Sequence, residues 1–572
     1  MNYRRNLLAL ACVLLAACQH AERPSAPPSA TVESRLPAGV VAANPLAVDA
    51  GVAILEQGGS AIDAAVAVQA TLGLVEPQSS GLGGGAFLLY YDAKTHEVTA
   101  FDGREAAPAG ARPDMFLGDD GKPLAFFDAV TSGRSTGAPG AIAMLGLAQQ
   151  RYGKLPWKSL FGSAERAASD GFSVPKRLAR FANGDFPQAA LADPKALFSH
   201  PDGTIVQAGE TLRNPAYAET LRTLAARGPR ALLEGDIAAD IAARAHAEPR
   251  PGTLTAADLA AYRPHAAQPV CRPYRIYVVC VPPPPSSGVA LLQVLGILEH
   301  TDIATRGPSD PQSWFLLAEA LRLMYADRDR YVADPAFVPV PVDALLAPQY
   351  LASRAALIGD RAMPGVPAAG VPLASLRRGA DATQEAAGTS HFVVIDKAGN
   401  VASMTTSVES LFGSGRAVRG FFLNNQLTDF SFVANDNGQP VANAVAPGKR
   451  PRSSMSPVIV LSRDGRFVAA LGSPGGSAIL AYNAKALIGV LGWGLTMQQA
   501  IDLPNIYARG TDYYGEITKF PSELRTALLA RGVEIKPGRG EESGLHGVIV
   551  RGPGQVETGA DPRREGVWKP AR

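Results

Sequence analysis

The chain has 572 residues, of which 47% are hydrophobic and 19% charged, a balance typical of globular proteins. With 54 basic and 52 acidic residues the net charge is +2, so the chain lacks the large basic field of a nucleic-acid-binding protein, and no nucleic-acid partner is expected. It contains no apolar run of about eighteen residues, which excludes a multi-span membrane protein.

Residues 1–18 have the organisation of a signal peptide. A basic start is followed by apolar residues 7–17, a run too short to span a bilayer. Residues 15–18 (Leu-Ala-Ala-Cys) resemble a bacterial lipoprotein box. That resemblance implies export to the periplasmic side, lipid on the Cys18 thiol and, from Gln19, anchoring to the outer membrane. The alternative is a plain signal peptide with a coincidental cysteine.

The next segment passes from a predicted tether to a predicted helix. Residues 19–36 are rich in Pro, Ser and Ala and carry almost no large apolar side chain, which predicts a flexible tether. Asn44 suits an N-cap, Pro45 the first helical position and Gly58 the exit. Together they predict a helix over residues 44–58.

A second helix is predicted over residues 61–72. Ser60 and Asp63 have the spacing of a capping box, and the residues that follow are small and nearly all apolar. Such a helix has no polar face for solvent, so we expect it to be buried between layers of the fold.

A glycine-rich loop, residues 81–85, precedes a predicted strand over residues 86–91. Neither the Lys-Ser/Thr pair nor the helix of a phosphate-binding loop follows it. The glycines therefore indicate backbone packed too closely for side chains. Residues 110–260 alternate helical patterns with polar loops and show no recognisable chemistry.

Two cysteines remain once the signal peptide and Cys18 are set aside. Cys271 and Cys280 lie on either side of a β-like stretch, residues 274–279. An exported protein is in an oxidising setting, so the pair can form a disulfide; two buried thiols are the alternative.

A loop-like stretch, residues 361–388, leads into a predicted β-hairpin. Strand-like residues 391–395 and 401–408 flank residues 396–400, whose Asp, Gly and Asn have turn chemistry. The turn is expected to pivot near Ala398.

The hairpin brings polar side chains to Thr389, the residue after the loop. Pairing across the turn places Ser407 about opposite Thr389, and strand alternation places Thr405, Ser407 and Glu409 on one face. From geometry alone, an ordinary hairpin with a Thr-rich polar face explains the same pattern.

The hairpin sequence belongs to a set of ordered motifs. Residues 389–400, 405–409 and 412–413 resemble the signature of the gamma-glutamyltransferase family, whose members are N-terminal-nucleophile hydrolases. The family's other motifs are resembled by residues 102–108 upstream and by residues 423–431, 449–457 and 472–477 downstream. The likeness extends over nearly the whole mature chain, and several ordered motifs are far more specific than any one alone.

The resemblance implies an α+β fold, a four-layer αββα sandwich with two antiparallel sheets between helix layers. It also implies that the chain cuts itself: the Thr389 hydroxyl attacks the Gly388 carbonyl, and water hydrolyses the resulting ester. The products would be a large chain, whose folded part is residues 37–388, and a small chain, residues 389–572. We expect the two to form a heterodimer with one interleaved core.

A threonine hydroxyl is a weak nucleophile and needs a base. An N-terminal Thr389 would supply its own α-amine, whose ordinary pKa is about 7.7–8.0. By resemblance, Ser407, which stands where the family more usually has Thr, orients the Thr389 amine and hydroxyl. The backbone N–H groups of Gly475 and Gly476 match the family positions that stabilise the tetrahedral oxyanion.

A γ-glutamyl group presents one carboxylate and one ammonium, and the resemblance implies a set of residues for each charge. The carboxylate set is Arg104, Ser453 and Ser454. The ammonium set is Glu409, Gln426 and Asp429. Residues 432–446 align with a region that forms a lid in some members; they contain no Tyr or Trp, so we expect no covering aromatic side chain and a pocket open to large acceptors.

The leading hypothesis is a γ-glutamyl hydrolase/transferase that cleaves glutathione-like substrates through an ester on Thr389 and passes the acyl group to water, an amino acid or a peptide. The runner-up is an acylase of the same fold that cleaves glutaryl amides such as cephalosporin side chains. A glutaryl group lacks the ammonium, so Glu409 and Asp429 would have less purpose.

A third hypothesis is a non-catalytic envelope lipoprotein, which predicts an uncut chain. The chain's eight histidines form no ligand-spaced cluster. We therefore expect neither a metal site nor a cofactor.

Overall fold

Two antiparallel sheets and the helices that cover them make up the fold. The computed structural model describes residues 36–373, 375–381, 383–538 and 543–572. The predicted signal peptide, the Cys18 lipidation site and residues 19–35 of the predicted tether lie outside the described residues. Within the described ranges, no helix is both long and apolar enough to cross a membrane.

The strands of the described residues are, in chain order, β1 (Gly39–Ala42), β2 (Gly85–Asp92), β3 (Glu97–Asp102), β4 (Phe172–Ser173), β5 (Thr211–Leu212), β6 (His265–Ala267), β7 (Val270–Tyr274), β8 (Tyr277–Val281), β9 (Gly388–Ile395), β10 (Val401–Glu409), β11 (Ala417–Val418), β12 (Phe421–Phe422), β13 (Asn435–Asp436), β14 (Gln439–Pro440), β15 (Val458–Ser462), β16 (Phe467–Gly472), β17 (Ile506–Arg509), β18 (Asp512–Gly515), β19 (Ile535–Pro537), β20 (His546–Gly552), β21 (Gln555–Ala560) and β22 (Val567–Pro570).

The α-helices of the same residues are α1 (Pro45–Glu56), α2 (Ala61–Val75), α3 (Phe126–Val130), α4 (Ala141–Tyr152), α5 (Gly162–Asp170), α6 (Lys176–Ala182), α7 (Ala192–Phe198), α8 (Pro215–Arg227), α9 (Gly235–Ala245), α10 (Ala256–Ala261), α11 (Gly288–Glu299), α12 (Ile303–Arg306), α13 (Pro311–Tyr331), α14 (Val342–Leu345), α15 (Pro348–Ala355), α16 (Ile479–Leu487), α17 (Met497–Asp502) and α18 (Ser522–Ala530).

The first sheet takes its strands from both sides of Thr389 along the chain. Its seven strands lie in the order β22-β1-β9-β10-β2-β3-β6. β9 begins at Gly388 and pairs antiparallel with β1 on one side and with β10 on the other. The residue predicted as the nucleophile therefore lies at the start of a central strand.

The second sheet is interleaved in the same way. Its six strands lie in the order β21-β20-β16-β15-β8-β7. The first four follow Thr389 in sequence, and β8 and β7 precede it. Neither sheet is complete without strands from both parts of the chain.

Side-chain alternation along the strands separates three buried layers. In β1, Val40 packs with α1, α2 and α4, whereas Val41 packs between the two sheets. The second sheet repeats the arrangement, since Val460 of β15 packs with α11, α13 and α16, and Ile459 faces the layer between the sheets. The order helix, sheet, sheet, helix confirms the predicted four-layer αββα sandwich.

Both predicted helix starts are confirmed. Asn44 caps α1 by accepting a hydrogen bond from a backbone N–H at 2.9 Å, and Pro45 occupies the first turn. Ser60 and Asp63 form the capping box of α2, which runs on to Val75 and is buried along its whole length. α2 is thus the interior helix that its small apolar residues predict.

The glycine-rich loop before β2 lies against the strand that carries Ser407. A Cβ atom on Gly84 would stand 2.0 Å from the Ser407 carbonyl oxygen, far inside van der Waals contact. Only glycine allows the two backbones to approach this closely. The predicted reason for these glycines is confirmed.

Cys271 and Cys280 lie directly opposite each other on the hairpin β7–β8 and form a disulfide. The β-like stretch predicted over residues 274–279 is wrong as one strand, because the chain turns at Arg275, between β7 and β8. Arg275 adopts a positive φ of 55° without being one of the residues that usually signal a turn.

Candidate active site

Thr389 is buried at the start of β9, opposite Ser407 of β10. The Thr389 Oγ1 and Ser407 Oγ atoms lie 3.0 Å apart, and Ser407 Oγ donates to the Gly388 carbonyl oxygen at 2.8 Å. One hydroxyl therefore contacts both the expected nucleophile and the carbonyl that it would attack. The predicted hairpin register is confirmed at this pair.

A β-bulge after Ser407 interrupts the predicted alternation of β10. The pairing with β9 steps from Ser407 to Glu409, so Val408 is an extra residue, and Glu409 takes a positive φ of 81°. The Glu409 N–H donates to Ser407 Oγ at 2.8 Å. Unbroken alternation is therefore a wrong prediction, yet the bulge keeps Ser407 and Glu409 beside Thr389.

A cavity of about 20 Å³ borders Thr389 and has room for about one water molecule. Most of the residues predicted for catalysis and binding line it: Arg104, Thr389, Ser407, Glu409, Gln426, Asp429, Ser453, Ser454 and Gly476. The fold thus brings together segments that are far apart in the sequence. In the part of the chain that the structure describes, no cluster of three or more His, Cys, Asp or Glu side chains is arranged to hold a metal ion.

The Arg104 guanidinium is fully buried and fixed on one side. Its Nη2 donates to Asp429 Oδ2 at 2.5 Å and to the Arg452 carbonyl oxygen at 2.6 Å. Nη1 has no hydrogen-bond acceptor among the described residues, and Glu105 Oε2 stands 3.7 Å away. A buried donor without an acceptor, in the wall of a cavity, indicates a place for an anion.

Acceptor groups line the same cavity. Gln426 Nε2 donates to Asp429 Oδ2 at 2.8 Å, while Gln426 Oε1 lacks a donor within the described ranges. Burial, and then the Asp429 charge, raise the pKa of Glu409 well above its ordinary value. Burial also raises the pKa of Asp429, although Arg104 opposes the rise. A bound cation would allow both carboxyl groups to ionise.

Gly475 and Gly476 form the loop that opens α16. Both have a positive φ, 135° and 55°, which favours glycine. A Cβ atom on Gly476 would lie 2.4 Å from the Ala386 carbonyl oxygen. The loop therefore packs against the backbone just upstream of the predicted cleavage bond.

Residues 385 and 386 occupy the predicted binding groups in the uncut chain. The Glu385 carboxylate accepts from Ser454 Oγ at 2.5 Å, and the Ala386 N–H donates to Glu409 Oε1 at 2.7 Å. A carboxylate and an N–H group thus fill the two places expected for the carboxylate and the ammonium of a γ-glutamyl substrate. Ser453, the other predicted serine, accepts at its Oγ from a backbone N–H at 3.1 Å.

Sequence reasoning missed the charged groups around Glu385. Arg328 Nη2 lies 2.5 Å from Glu385 Oε1, and Arg452 Nη2 lies 3.6 Å from it. Burial opposes ionisation of Glu385, but Arg328 and Arg452 outweigh burial and lower its pKa to about 2. Arg452 falls inside the motif at residues 449–457 and could have been found there, whereas Arg328, in the last turn of α13, has no distinguishing signal in the sequence.

A larger groove, of about 550 Å³, lies beside the cavity. Glu385 and Ala386 line both spaces. Other walls of the groove carry aromatic and charged side chains, among them Phe127, Tyr507 and Arg509. The segment before Gly388 therefore stands between Thr389 and a space large enough for a peptide-sized group.

Residues 432–446, the expected counterpart of a lid, contain the short hairpin β13–β14. Phe432, the one aromatic residue of this segment, stacks on Phe116 with ring centroids 4.7 Å apart, and it lines neither the cavity nor the groove. Asp436 Oδ2 accepts from the Ala380 N–H at 3.0 Å. In the uncut chain the segment thus contacts the residues that lead to the predicted cleavage bond.

A family profile, curated proteins and a solved structure all match this chain over most of its length. A family profile described as gamma-glutamyltranspeptidase matches residues 47–571. The glutathione hydrolase proenzyme of Bacillus subtilis (strain 168) is 36% identical over 543 residues, covering 92% of this chain and 91% of that protein. The glutathione hydrolase proenzyme of Escherichia coli (strain K12) is 36% identical over 581 aligned residues, covering 97% of each. The crystal structure of cephalosporin acylase from Bacillus halodurans matches with a TM-score of 0.80 at 26% identity, covering 96% of this chain and 99% of that chain.

Proposed function

The chain belongs to the gamma-glutamyltranspeptidase family, and we propose that it cleaves the γ-glutamyl amide of glutathione and related compounds with Thr389 as the nucleophile. One observation carries the proposal. Arg104 and Gln426 line the same cavity as Thr389, and among the described residues Arg104 Nη1 has no acceptor and Gln426 Oε1 has no donor. An unpaired hydrogen-bond donor and an unpaired acceptor in one small cavity fit a zwitterionic ligand, which carries a carboxylate and an ammonium.

The first step is self-cleavage, which creates the nucleophile. The Thr389 hydroxyl oxygen attacks the Gly388 carbonyl carbon, the Gly388–Thr389 C–N bond breaks, and the hydroxyl proton passes to the new α-amine. The Ser407 hydroxyl supports this step because it donates to the Gly388 carbonyl oxygen while accepting from Thr389. Water then hydrolyses the ester, leaving a Gly388 carboxylate and a free Thr389.

The second reaction repeats this chemistry on a substrate. The Thr389 α-amine takes the hydroxyl proton as the oxygen attacks the γ-carbonyl of the donor, and the proton then goes to the departing amine. Gly475 and Gly476 would donate their N–H groups to the oxyanion. Water or the amine of an acceptor then attacks the γ-glutamyl ester and frees Thr389.

Two sets of residues would hold the γ-glutamyl group. Arg104 Nη1 would take the α-carboxylate, together with Ser453 and Ser454 once Glu385 has left. Glu409, Gln426 and Asp429 would take the α-ammonium, whose charge favours ionisation of the two carboxyl groups.

Processing and location form a further part of the proposal. Relatives named proenzymes support cleavage into a large and a small chain that stay together as a heterodimer. The sequence of residues 1–18 supports export, with a lipid on Cys18 as the membrane anchor.

Cleavage of glutaryl amides is the second candidate, favoured by the similarity to the Bacillus halodurans cephalosporin acylase. A glutaryl group has no ammonium and would leave the acceptors on Glu409, Gln426 and Asp429 unused. We therefore place it behind γ-glutamyl transfer.

The test uses the purified protein and a Thr389→Ala variant. Intact mass and N-terminal sequencing should show wild-type chains that end at Gly388 and begin at Thr389, and an uncut, inactive variant. γ-Glutamyl-p-nitroanilide and glutaryl-p-nitroanilide report the two candidate activities. Exposed Thr526 in α18 provides the matched control, since Thr526→Ala should process and react like the wild type.

Turnover of only the glutaryl substrate would favour the acylase. A wild-type protein that stays as one full-length chain would favour the non-catalytic lipoprotein. A Thr389→Ala variant that still splits would remove Thr389 as the nucleophile.

A further inference from the structure

Three arginines surround Glu385, the residue that lines both the Thr389 cavity and the larger groove. Arg328 and Arg452 are fully buried, and the Arg509 side chain is 18% exposed. All three act on Glu385, the residue that lines both spaces. Arg509 lines the groove itself.

Three carboxylates neutralise these arginines in the uncut chain. Asp329, which follows Arg328 in α13, lies 2.7 Å from Arg509 Nη2. Asp381 Oδ2 lies 3.1 Å from Arg452 Nη2, and Glu385 pairs with Arg328. Two of the three, Asp381 and Glu385, belong to the segment that leads to Gly388.

Cleavage after Gly388 would make this segment the free end of the large chain. Its residues 385 and 386 must leave before a γ-glutamyl group can reach Ser454 and Glu409. Departure of Glu385 removes one of the three carboxylates and leaves the three guanidinium groups with Asp329 and Asp381. A buried charge without a partner raises the free energy of the folded protein, so the place that Glu385 vacates favours binding of an anion.

The γ-glutamyl group brings one carboxylate to a place bordered by Arg104 and by the three arginines. Its α-carboxylate takes the place of Glu385 on Ser454. Arg104 Nη1 shares that α-carboxylate, so the charge that Glu385 supplied to the three arginines is not fully replaced, and Arg509 lines the groove. A second carboxylate would have to come from the group attached to the γ-glutamyl carbonyl.

We propose that Arg452 and Arg509, backed by Arg328, form a carboxylate subsite for the leaving group of the donor and for the acceptor, so that γ-glutamyl compounds with an anionic amino acid or peptide are preferred. The proposal rests on the proposed function. Leaving group and acceptor share the subsite because the acceptor amine attacks from the position that the leaving amine vacates. In the uncut chain, Asp381 and Glu385 hold the same arginines.

The experiment compares two donors that differ by one charge, γ-glutamylglutamate and γ-glutamylglutamine, using wild-type protein shown by intact mass to be fully cut. Arg509→Gln is the main variant because Arg509 is the least buried of the three. Arg509→Lys keeps the charge, and Arg525→Gln alters an exposed arginine in α18 as the matched control. The readout is the ratio of kcat/KM for the anionic donor to that for the neutral donor.

We expect a wild-type ratio of about ten or more, since a charge-assisted contact contributes about 1.5–3 kcal/mol. Arg509→Gln should bring the ratio close to one, mainly through the KM of the anionic donor. Arg509→Lys should retain part of the preference, and Arg525→Gln should retain all of it.

A wild-type ratio near one, or an equal ratio in wild type and Arg509→Gln, would overturn the subsite. γ-Glutamyl-p-nitroanilide separates this failure from that of the proposed function. Its turnover by the cut wild type without any charge preference rejects the subsite alone, whereas no turnover of any γ-glutamyl donor rejects the proposed function.

Discussion

Arg104 combines bonds within the fold with the substrate-binding role that we propose for it. Its Nη2 and Nε atoms hold Asp429 and two backbone carbonyls, so the guanidinium plane is fixed before any ligand arrives. Nη1 has no acceptor among the described residues, and in our proposal it binds the carboxylate of the ligand. A preorganised donor of this kind lowers the cost of ordering on binding.

We predict that Arg104→Gln raises the KM for a γ-glutamyl donor by about tenfold or more and lowers kcat less, because a charge-assisted hydrogen bond to the α-carboxylate is lost. Steady-state kinetics of the cut protein would measure this. Arg112→Gln is the control, since the Arg112 side chain is 75% exposed and pairs with Asp114. An unchanged KM in a fully cut Arg104→Gln protein would remove Arg104 from the binding site.

Most of the site residues were predictable from sequence motifs, but three charged residues near them were not. The structure gathers nearly all of the predicted site residues around one cavity, because each stands in a motif whose order along the chain is itself informative. Glu385, Asp381 and Arg328 escaped notice because a loop carboxylate and a helix arginine are common on protein surfaces. Only the tertiary structure shows that the three are buried together.

At the scale of elements, the hairpin β9–β10 was predictable because period-two alternation and a turn of Asp, Gly and Asn fix its register. The bulge at Val408 was not, since no glycine or proline marks it. Glu409 takes a left-handed conformation that a sequence pattern does not suggest for glutamate. The structure that imposes this conformation includes Ser410 and Asn425, which bond the Glu409 carboxylate.

The contact between the two sheets contains a pair of buried histidines. His391 of β9 and His546 of β20 are both fully buried, and β20 packs against β9. Burial lowers the pKa of His546 to about 4, with Asp561 opposing the shift and Arg564 adding to it. Burial and His546 lower the pKa of His391 well below its ordinary value. Both rings are therefore neutral in the folded protein near pH 6.

This pair predicts acid sensitivity. Between pH 6.5 and about 4 the unfolded chain binds a proton at His546 that the folded chain does not, so the free energy of unfolding falls as the pH falls through this window. His546 alone should account for a loss of about 3 kcal/mol. Urea unfolding at a series of pH values, in wild type and His546→Gln, measures the difference.

The free energy of unfolding of His546→Gln should depend less steeply on pH than that of the wild type, whatever the absolute stability of the variant. His300→Gln, at an exposed histidine after α11, is the control and should keep the wild-type slope. Parallel curves for wild type and His546→Gln would contradict the argument.

In the whole molecule, the order of the strands in the sheets determines whether the two chains can separate after cleavage. The helix and strand signals were readable locally, but the order β22-β1-β9-β10 depends on which strands meet across hundreds of residues, and no local pattern encodes that. In that order β1, which would belong to the large chain, lies between β22 and β9, which would belong to the small chain. Separating the chains would break sheet hydrogen bonds and open all three buried layers.

We therefore predict that the cut chains elute together under native conditions and separate only when both unfold. Unfolding of the cut protein yields two molecules, so its midpoint must depend on protein concentration: a tenfold dilution should lower the apparent free energy of unfolding by about 1.4 kcal/mol. The uncut Thr389→Ala chain has the same sheet order but unfolds to one molecule, so its midpoint should not move on dilution.

Size-exclusion chromatography and urea titration at two concentrations test both statements. Chains that part in native buffer, or a cut protein whose midpoint ignores dilution, would show that the two parts are not one interleaved core.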